Sequence, residues 1–378
     1  MRKFSIILLV SILINSNMTF ASINNSKVSS INQKDGFSLL TSHNYDLSKF
    51  QDKIELYNED LEDAIEKANQ ITWNYSNANE YANLWIDKLY NPYYKRIELE
   101  RQYRLQKDKE KSLKIELTKL MLETKSINTL IENQNNSLSQ SQLLYANLKN
   151  KYVLGLVTNT EVKESEIKLL KETNEIKLNE INLHENNMNI CSLIGIPLEP
   201  DLKVNIVLPI NEKIDYSIYK LIDNIETFNE DLIYKQEEID ALKYKIQIIK
   251  DHIIVSFGEP DILEELEDDL ADLNNDYDDT MNIKKIDLFK NYYLLAIQSN
   301  STEINKLNYD AAVRNYNTAK VKHDLGMITD YDLDTAKASQ DTAYQTYVQS
   351  MNDLYIQDLE FQNSIGIYGV EDTSSTVQ

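Results

Sequence analysis

The stretch Leu154-Gly155-Leu156-Val157-Thr158-Asn159-Thr160-Glu161 recurs 171 residues later as Leu325-Gly326-Met327-Ile328-Thr329-Asp330-Tyr331-Asp332. In both stretches the Gly follows a long segment that contains no Gly or Pro, and a Gly in this place favours the left-handed conformation that ends a helix. The Thr three residues after the Gly, and the Glu or Asp three residues after that Thr, have the spacing of a capping box, which begins a helix. Each stretch is therefore predicted to be a tight turn between two antiparallel helices.

The interval of 171 residues holds over most of the chain. Gly195 recurs as Gly366, and Asn58-Glu59-Asp60-Leu61 recurs as Asn229-Glu230-Asp231-Leu232. Because these matches share one register without a net gap, we predict two copies of one structural unit. The predicted divisions are a signal peptide (1–21), an N-terminal extension (22–57), a first helical repeat (58–196), a linker (197–228), a second helical repeat (229–367) and a disordered tail (368–378).

Each copy is predicted to contain a helical arm, a break, a long helix, the tight turn and a returning helix. In the first copy the arm covers about 58–90 and should end at Asn91-Pro92, because proline cannot continue a helix that has already begun. The long helix then covers 93–154, about 93 Å, and the returning helix covers 159–194. Arm and returning helix, about 50 Å and 54 Å long, would stack end to end beside the long helix. The second copy is expected to break at Gly258-Glu259-Pro260.

The returning helices carry an apolar residue at every seventh position, which favours a left-handed supercoil. The first copy has this repeat at Val162, Leu169, Ile176, Leu183 and Ile190, and the second at Leu333, Tyr347, Leu354 and Phe361, with Gln340 as the exception. The core of an ordinary antiparallel bundle would give the same pattern. The predicted fold class is therefore all-α, with long antiparallel coiled-coil helical hairpins in two tandem repeats.

The N-terminus reads as a secretory signal. Arg2 and Lys3 are followed by a short apolar run, Phe4–Ile14, and by Thr19-Phe20-Ala21 as a cleavage site. The apolar run is too short to span a bilayer, although a retained membrane anchor is the alternative. We therefore expect export. The Ser/Asn/Thr-rich residues 22–46 and 371–378 are expected to be disordered.

Composition excludes several classes of function. A net charge of −22 opposes binding to nucleic acid, and the single cysteine, Cys191, allows no intramolecular disulfide. The four histidines have no metal-ligand spacing, and the chain has neither a nucleophile turn nor a phosphate-binding glycine loop. We therefore predict no catalytic residues, no cofactor and no metal, and a protein that is not an enzyme.

The two turns resemble the hairpin tips of the TolC-like outer-membrane efflux protein family. The resemblance rests on Tyr152–Thr158, on His323–Thr329 and on the helix ends Leu193-Ile194-Gly195-Ile196 and Ser364-Ile365-Gly366-Ile367. It covers about 58–367 and includes the linker Val204–Pro209, where the family has a short equatorial strand. It implies a TolC-like α-barrel protomer, and a homotrimer whose twelve helical rods surround a tunnel for exported cargo.

The resemblance also implies the partners and the site residues. The tunnel would dock tip-first onto a periplasmic-type adaptor protein and an inner-membrane transporter. The docking residues would be Leu154, Gly155, Leu156, Val157, Thr158, Leu325, Gly326, Met327, Ile328 and Thr329. The family closes its tunnel near the tips with inward-facing acidic residues, for which Asp332 and Asp334 are the candidates here. A solvated helix face is the alternative for both.

The chain departs from the family between arm and long helix, where members insert membrane β-hairpins. Here Asn91-Pro92 and Gly258-Glu259-Pro260 occupy the insertion points, and 252–257 is too short for a membrane strand. We therefore expect little or no β-barrel, and membrane insertion is doubtful. The location would be the outer membrane by resemblance, or the periplasm, cell wall or exterior if the barrel is missing.

Two oppositely charged stretches lie near these insertion points. Residues 261–279 contain ten acidic side chains and no Lys or Arg, whereas 95–111 is rich in both cations. We expect the two stretches to meet between neighbouring copies; two solvated faces are the alternative. The alternative to a transport duct as a whole is an exported coiled-coil structural or surface protein without a conduit.

Overall fold

The structure, a computed structural model, describes residues 28–208, 216–254 and 262–367. Two long helical hairpins dominate it. The first pairs α4 (Asn91–Val153) with α5 (Asn159–Leu193), and the second pairs α8 (Ile262–Asp324) with α9 (Asp330–Ser364). Both long helices have 63 residues, about 95 Å, and both returning helices have 35. The predicted all-α fold of long antiparallel hairpins is confirmed.

Residues 28–85, before the first hairpin, contain regular secondary structure. They form β1 (Ser30–Asn32), α1 (Gln33–His43), α2 (Tyr45–Gln70) and α3 (Ala78–Trp85). The prediction that 22–46 is disordered was therefore wrong for 28–46, and 22–27 lies outside the described residues. Asn32 and Asn44 act as N-caps, since their side chains accept hydrogen bonds from the first backbone N–H groups of α1 and α2. Leu40 between these caps is fully buried.

The break predicted at Asn91-Pro92 was also wrong. A π-helical turn, Ile86–Tyr90, joins α3 to α4, so the helix continues through Pro92. Pro92 lies in the first turn of α4, and the wider π turn relieves the clash that its ring would cause in a regular helix. The interruption falls instead at residues 71–77, between α2 and α3. The corresponding break at Gly258–Pro260, the signal peptide 1–21 and the tail 368–378 lie outside the described residues.

The described residues between the hairpins form several elements of different length. They are β2 (Lys203–Asn205), α6 (Ile218–Asp223), a 3-10 turn (Ile225–Thr227), α7 (Glu230–Ile249) and a π-helical turn (Lys250–Ile254). The strand β2 lies within the predicted linker and pairs in parallel with β1, with Val204 opposite Ile31. Asn229 caps α7, whereas its repeat mate Asn58 lies inside α2, so the same tetrapeptide serves different local structures.

Packing follows the predicted stacking of arm and returning helix. Both α2 and α5 pack along α4, both α7 and α9 pack along α8, and α9 also contacts α4. The main core lies where α4 meets α1, the β1–β2 pair and the end of α5; its fully buried members include Leu40, Leu117, Met121, Ile190 and Ile194. Among the described helices, none combines the length and the apolar character that crossing a bilayer requires.

Candidate functional site

The two hairpin tips have the same backbone geometry. Gly155 and Gly326 adopt left-handed conformations, with φ of 73° and 68°. Beyond each Gly, the N–H of Leu156 donates to the carbonyl of Lys151 (2.9 Å), and the N–H of Met327 donates to that of Lys322 (2.8 Å). These bonds satisfy carbonyls at the end of α4 and α8, so each long helix ends in a sharp reversal.

Both predicted capping boxes are present. The hydroxyl of Thr158 accepts a bond from the N–H of Glu161 (3.3 Å), whose carboxylate accepts one from the Thr158 N–H (2.6 Å). Thr329 and Asp332 repeat the exchange at 3.2 Å and 3.0 Å. Hydrogen bonds from the Thr backbone and hydroxyl hold the pKa of the Glu161 and Asp332 carboxyls below their usual values. The tips are thus fixed by local chemistry.

The tips expose most of their apolar side chains. Leu154 and Leu156 are 72% and 70% exposed, and their counterparts Leu325 and Met327 are 69% and 67% exposed. Val157 and Ile328, next in the chain, are half-buried. An apolar cluster at the far end of a long hairpin suits a docking surface better than a free turn.

The second tip contains a close contact between a histidine and a carboxylate that the sequence analysis missed. The ring Nε2 of His323 lies 2.6 Å from a carboxylate oxygen of Asp330, which joins the last turn of α8 to the start of α9. The first tip has Tyr152 and Asn159 at these positions and cannot form this pair. Comparison of the two copies position by position would have found the difference.

The two candidate constriction residues lie on the exposed first turns of α9. The Asp332 carboxylate is held in the capping box by Thr329, whereas Asp334, two residues on, is exposed. Within one chain they form no constriction, because a lumen would require neighbouring copies.

The hairpins leave large apolar faces uncovered. The seven-residue repeat of α5 faces inward, with Val162, Ile176 and Ile190 buried. A different stripe on α8, whose members lie three, four, seven or fourteen residues apart, remains exposed along the helix. We call it the α8 seam, and it comprises Ile283, Ile286, Tyr293, Ile297, Ile304, Leu307 and Val321. A shorter stripe on α5, Ile167, Leu170, Leu178 and Ile181, is also exposed. The periodicity of 283–321 in the sequence could have revealed the α8 seam.

Helix α7 separates the two charged stretches within the chain. Arg104 of the basic stretch pairs with Glu230 (3.2 Å) and Glu237 (2.5 Å) of α7. On the acidic side, Lys235 of α7 pairs with Asp276, and Lys250 of the π-helical turn that follows α7 pairs with Glu267 at 2.6 Å. Both charged stretches thus form ion pairs with α7 or with the turn that follows it in the same chain. Their expected contact between copies stays a prediction. No group of three or more metal-ligating side chains occurs among the described residues.

Comparison with known proteins identifies the fold. No family model matches the sequence, and no curated protein matches it. Solved structures do match: the outer membrane protein VceC of Vibrio cholerae (TM-score 0.64, 11% identity, 89% of this chain and 96% of VceC) and the CmeC outer membrane channel of Campylobacter jejuni (0.66, 11%, 90% and 87%). The open state of the Neisseria gonorrhoeae MtrE outer membrane channel matches with a TM-score of 0.61 at 8% identity, over 89% of each chain.

At these identities, the likeness shows the fold. The chain has the TolC-like helical fold of outer membrane channels, as the turns and helix ends predicted. The prediction that the chain is not an enzyme agrees with these neighbours, which are channel and outer membrane proteins.

Proposed function

We propose that this protein is a TolC-like exit-duct component of an efflux or secretion system. Three copies would form a helical tunnel of twelve rods, docked by its hairpin tips onto an adaptor protein and an inner-membrane transporter. The channel-like fold supports a conduit at the level of architecture. The protein would be exported to the cell envelope, as its N-terminal sequence and its structural neighbours suggest.

The observation that carries this proposal is the α8 seam. Its two central residues, Ile297 and Ile304, are about 60% exposed on a helix whose other face already packs against α9. Fully burying one such side chain stabilises the buried state by roughly 1.5–3 kcal/mol relative to leaving it in water. Seven of them in one stripe are costly to leave in water, and the spacing matches the apolar seam of a coiled coil. Further helices of the same kind, supplied by other copies, would cover the stripe.

The tips would then lie together at one end of the assembly. Three copies place six tips in a ring, each presenting an apolar pair such as Leu154 and Leu156. An adaptor with a complementary apolar surface would bury these side chains. Genes for an adaptor and a transporter beside the gene for this chain would favour the same conclusion.

The acidic residues near the second tip would narrow the tunnel entrance. Asp334 has an exposed carboxylate, and Asp332, two residues before it, is held in the cap by Thr329. Three copies would bring like charges together around one axis, so protonation or cation binding would relieve repulsion there.

Light scattering of residues 22–378, purified without detergent, tests the assembly. The wild-type chain should have the mass of a trimer. The double variant Ile297→Lys, Ile304→Lys places two charges in the α8 seam and should shift the mass to that of a monomer. Its matched control, Asn291→Lys with Asn317→Lys, adds the same charges at exposed positions of α8 outside the seam and should stay trimeric. A monomeric wild-type chain would favour the structural or surface protein instead.

A further inference from the structure

Both tryptophans of the chain lie at the end of the molecule opposite the hairpin tips. Trp73 belongs to the segment between α2 and α3, and Trp85 ends α3, shortly before the long helix α4 begins. The tips lie beyond the other end of α4, about 95 Å away. All indole groups of the protein are therefore concentrated on one small surface.

These rings form a packed cluster. The centroids of Trp73 and Trp85 lie 4.8 Å apart, and those of Tyr75 and Tyr81 lie 4.5 Å apart. The ring of His252 stacks on Trp85 at 3.8 Å. We call this set of five residues the aromatic end. It covers a small apolar core whose buried members include Ala82, Ile86, Ile246, Ile249 and Leu263.

The outer rings of the aromatic end remain in contact with solvent. Trp73 is 42% exposed and Tyr75 is 39% exposed, although each packs on a ring beneath it. The indole N–H of Trp85 is buried and has no acceptor within the described part of the chain. Large amphipathic rings that are half in water suit an environment with an apolar and a polar side.

Two lysine side chains lie close to rings at this end of the molecule. The ammonium group of Lys88 lies 5.2 Å from the centre of the Trp73 ring, and that of Lys245 lies 5.4 Å from the ring of Tyr90. The carboxylates of Glu80 and Asp87 also lie nearby, and they accept hydrogen bonds from the N–H of Ser76 (2.6 Å) and from the Asn91 amide. Amphipathic rings flanked by Lys are the chemistry found at the interface between a bilayer and water.

We propose that the aromatic end binds peripherally to the headgroup region of a lipid bilayer. Trp73 and Tyr75 enter the interface with their ring faces, and Lys88 and Lys245 meet lipid phosphates. The exposed carboxylates of Glu264 and Glu265, at the start of α8, repel an anionic membrane. Zwitterionic lipid therefore suffices, and anionic lipid adds no affinity. This surface needs no membrane-spanning helix and is independent of the proposed conduit.

The intrinsic fluorescence of the protein tests this proposal directly, because its only two tryptophans belong to the aromatic end. Residues 22–378 are mixed with phosphatidylcholine vesicles, with and without brominated acyl chains, and sedimented in parallel. The expected result is co-sedimentation, a blue shift of the emission and quenching by the brominated lipid. No sedimentation and no quenching would overturn the proposal.

Two variants separate the aromatic end from other apolar surfaces. Trp73→Ala with Tyr75→Ala should lower vesicle binding by about tenfold or more. The matched control, Leu154→Ala with Leu156→Ala at the first tip, removes two apolar side chains that are more exposed than Trp73 and Tyr75, and it should bind as the wild type does. If the aromatic variant loses helix content, Trp73→Phe alone, which keeps a ring, should still bind vesicles through Tyr75.

Two outcomes contradict the proposal even if vesicles bind. An equal loss in the tip variant would assign binding to general apolar exposure. Binding that requires phosphatidylglycerol and disappears in high salt would assign it to charge alone.

Discussion

Gly195, at the end of α5, touches the backbone of His43, at the end of α1. A Cβ added to Gly195 would lie 2.5 Å from the His43 carbonyl oxygen, far inside normal contact distance. Gly155 at the first tip has a similar positive φ, 73° against 69°, but nothing within 4 Å of the same position. The two glycines thus share a conformation and differ in their surroundings.

This contrast predicts different costs for one substitution. Gly155→Ala should destabilise the chain by roughly 1–2 kcal/mol, the cost of a left-handed backbone for a residue with a Cβ. Gly195→Ala adds the clash with His43, and an overpacked core typically costs a further 1–3 kcal/mol or so. Urea denaturation of both variants measures the difference. Equal destabilisation would show that the Gly195–His43 contact is not formed.

The capping boxes predict that the tips loosen in acid. The pKa of Glu161 and of Asp332 is lowered in the folded chain, so each stabilises its tip fully above its unfolded pKa, 4.5 and 3.8, and loses this effect as pH falls below it. Glu161→Gln removes the charge and should abolish the pH dependence of the first tip alone. Hydrogen exchange of the backbone amides of 158–162 between pH 3 and pH 6 measures the stability of the first tip. The second tip serves as the internal control.

Thr158→Ala should weaken the first tip by about 1 kcal/mol, as expected for the loss of an N-cap. Thr160→Ala, two residues further along the same turn, changes an exposed Thr that is outside the capping box and should have a smaller effect. Comparison of the two variants by hydrogen exchange distinguishes the cap from a general effect of removing a hydroxyl. If both variants exchange at the wild-type rate, the cap does not hold the tip.

Arg104 connects α4 to α7. Its replacement should make the free energy of unfolding depend on pH. Burial raises the pKa of Glu230, and Arg104 counteracts that effect. Arg104→Met leaves the carboxylates of Glu230 and Glu237 facing each other without this cation. A raised pKa favours the folded state when the carboxyl is protonated, so the variant should lose stability as pH rises above about 4.5. The loss at pH 7 should be about 1 kcal/mol, since Glu230 is partly exposed.

The triple variant Arg104→Met, Glu230→Gln, Glu237→Gln provides the control. It removes the unpaired carboxylates and should regain most of the stability at pH 7. A loss that stays constant from pH 4 to pH 7 in the single variant would mean that packing of the Arg104 stem, not its charge, holds α7 in place.

The hydroxyl of Tyr216 donates to the carboxylate of Asp358 (3.0 Å) and connects the linker to α9. Burial raises the pKa of Asp358, and the bonds from Tyr216 and Gln362 oppose this rise. Tyr216→Phe should therefore raise that pKa further and cost roughly 1–3 kcal/mol at pH 7, less at pH 4. Thermal unfolding at the two pH values measures this. Tyr219→Phe, at an exposed position, should have little effect at either.

The parts of the fold that local chemistry determines could be predicted from the sequence. Gly155 specifies a turn by its left-handed backbone conformation and Thr158 by its capping hydrogen bonds. The structure forms that turn in both copies. Prediction failed where the local structure depends on several residues together. A proline considered alone predicts the end of a helix. Here the π turn before Pro92 accommodates its ring, and the helix continues. Asn32 and Asn44 suggested disorder by composition, whereas they act as caps.

Contacts between distant parts of the chain could not be predicted from the sequence. The pairing of Ile31 with Val204 joins two strands of three residues each, too short to give a periodic pattern. The meeting of Arg104 with Glu230 and of Trp73 with Trp85 depends on how the helices cross. By contrast, the α8 seam is visible in the sequence as apolar residues three, four, seven or fourteen positions apart and could have been predicted.

Electron microscopy of residues 22–378, purified without detergent, tests the central claim most directly. The account predicts particles about 100 Å long whose end-on views show three-fold symmetry and a stain-filled lumen ringed by helices. Single-chain particles, or a solid bundle without a lumen, would contradict the conduit and leave a helical scaffold protein.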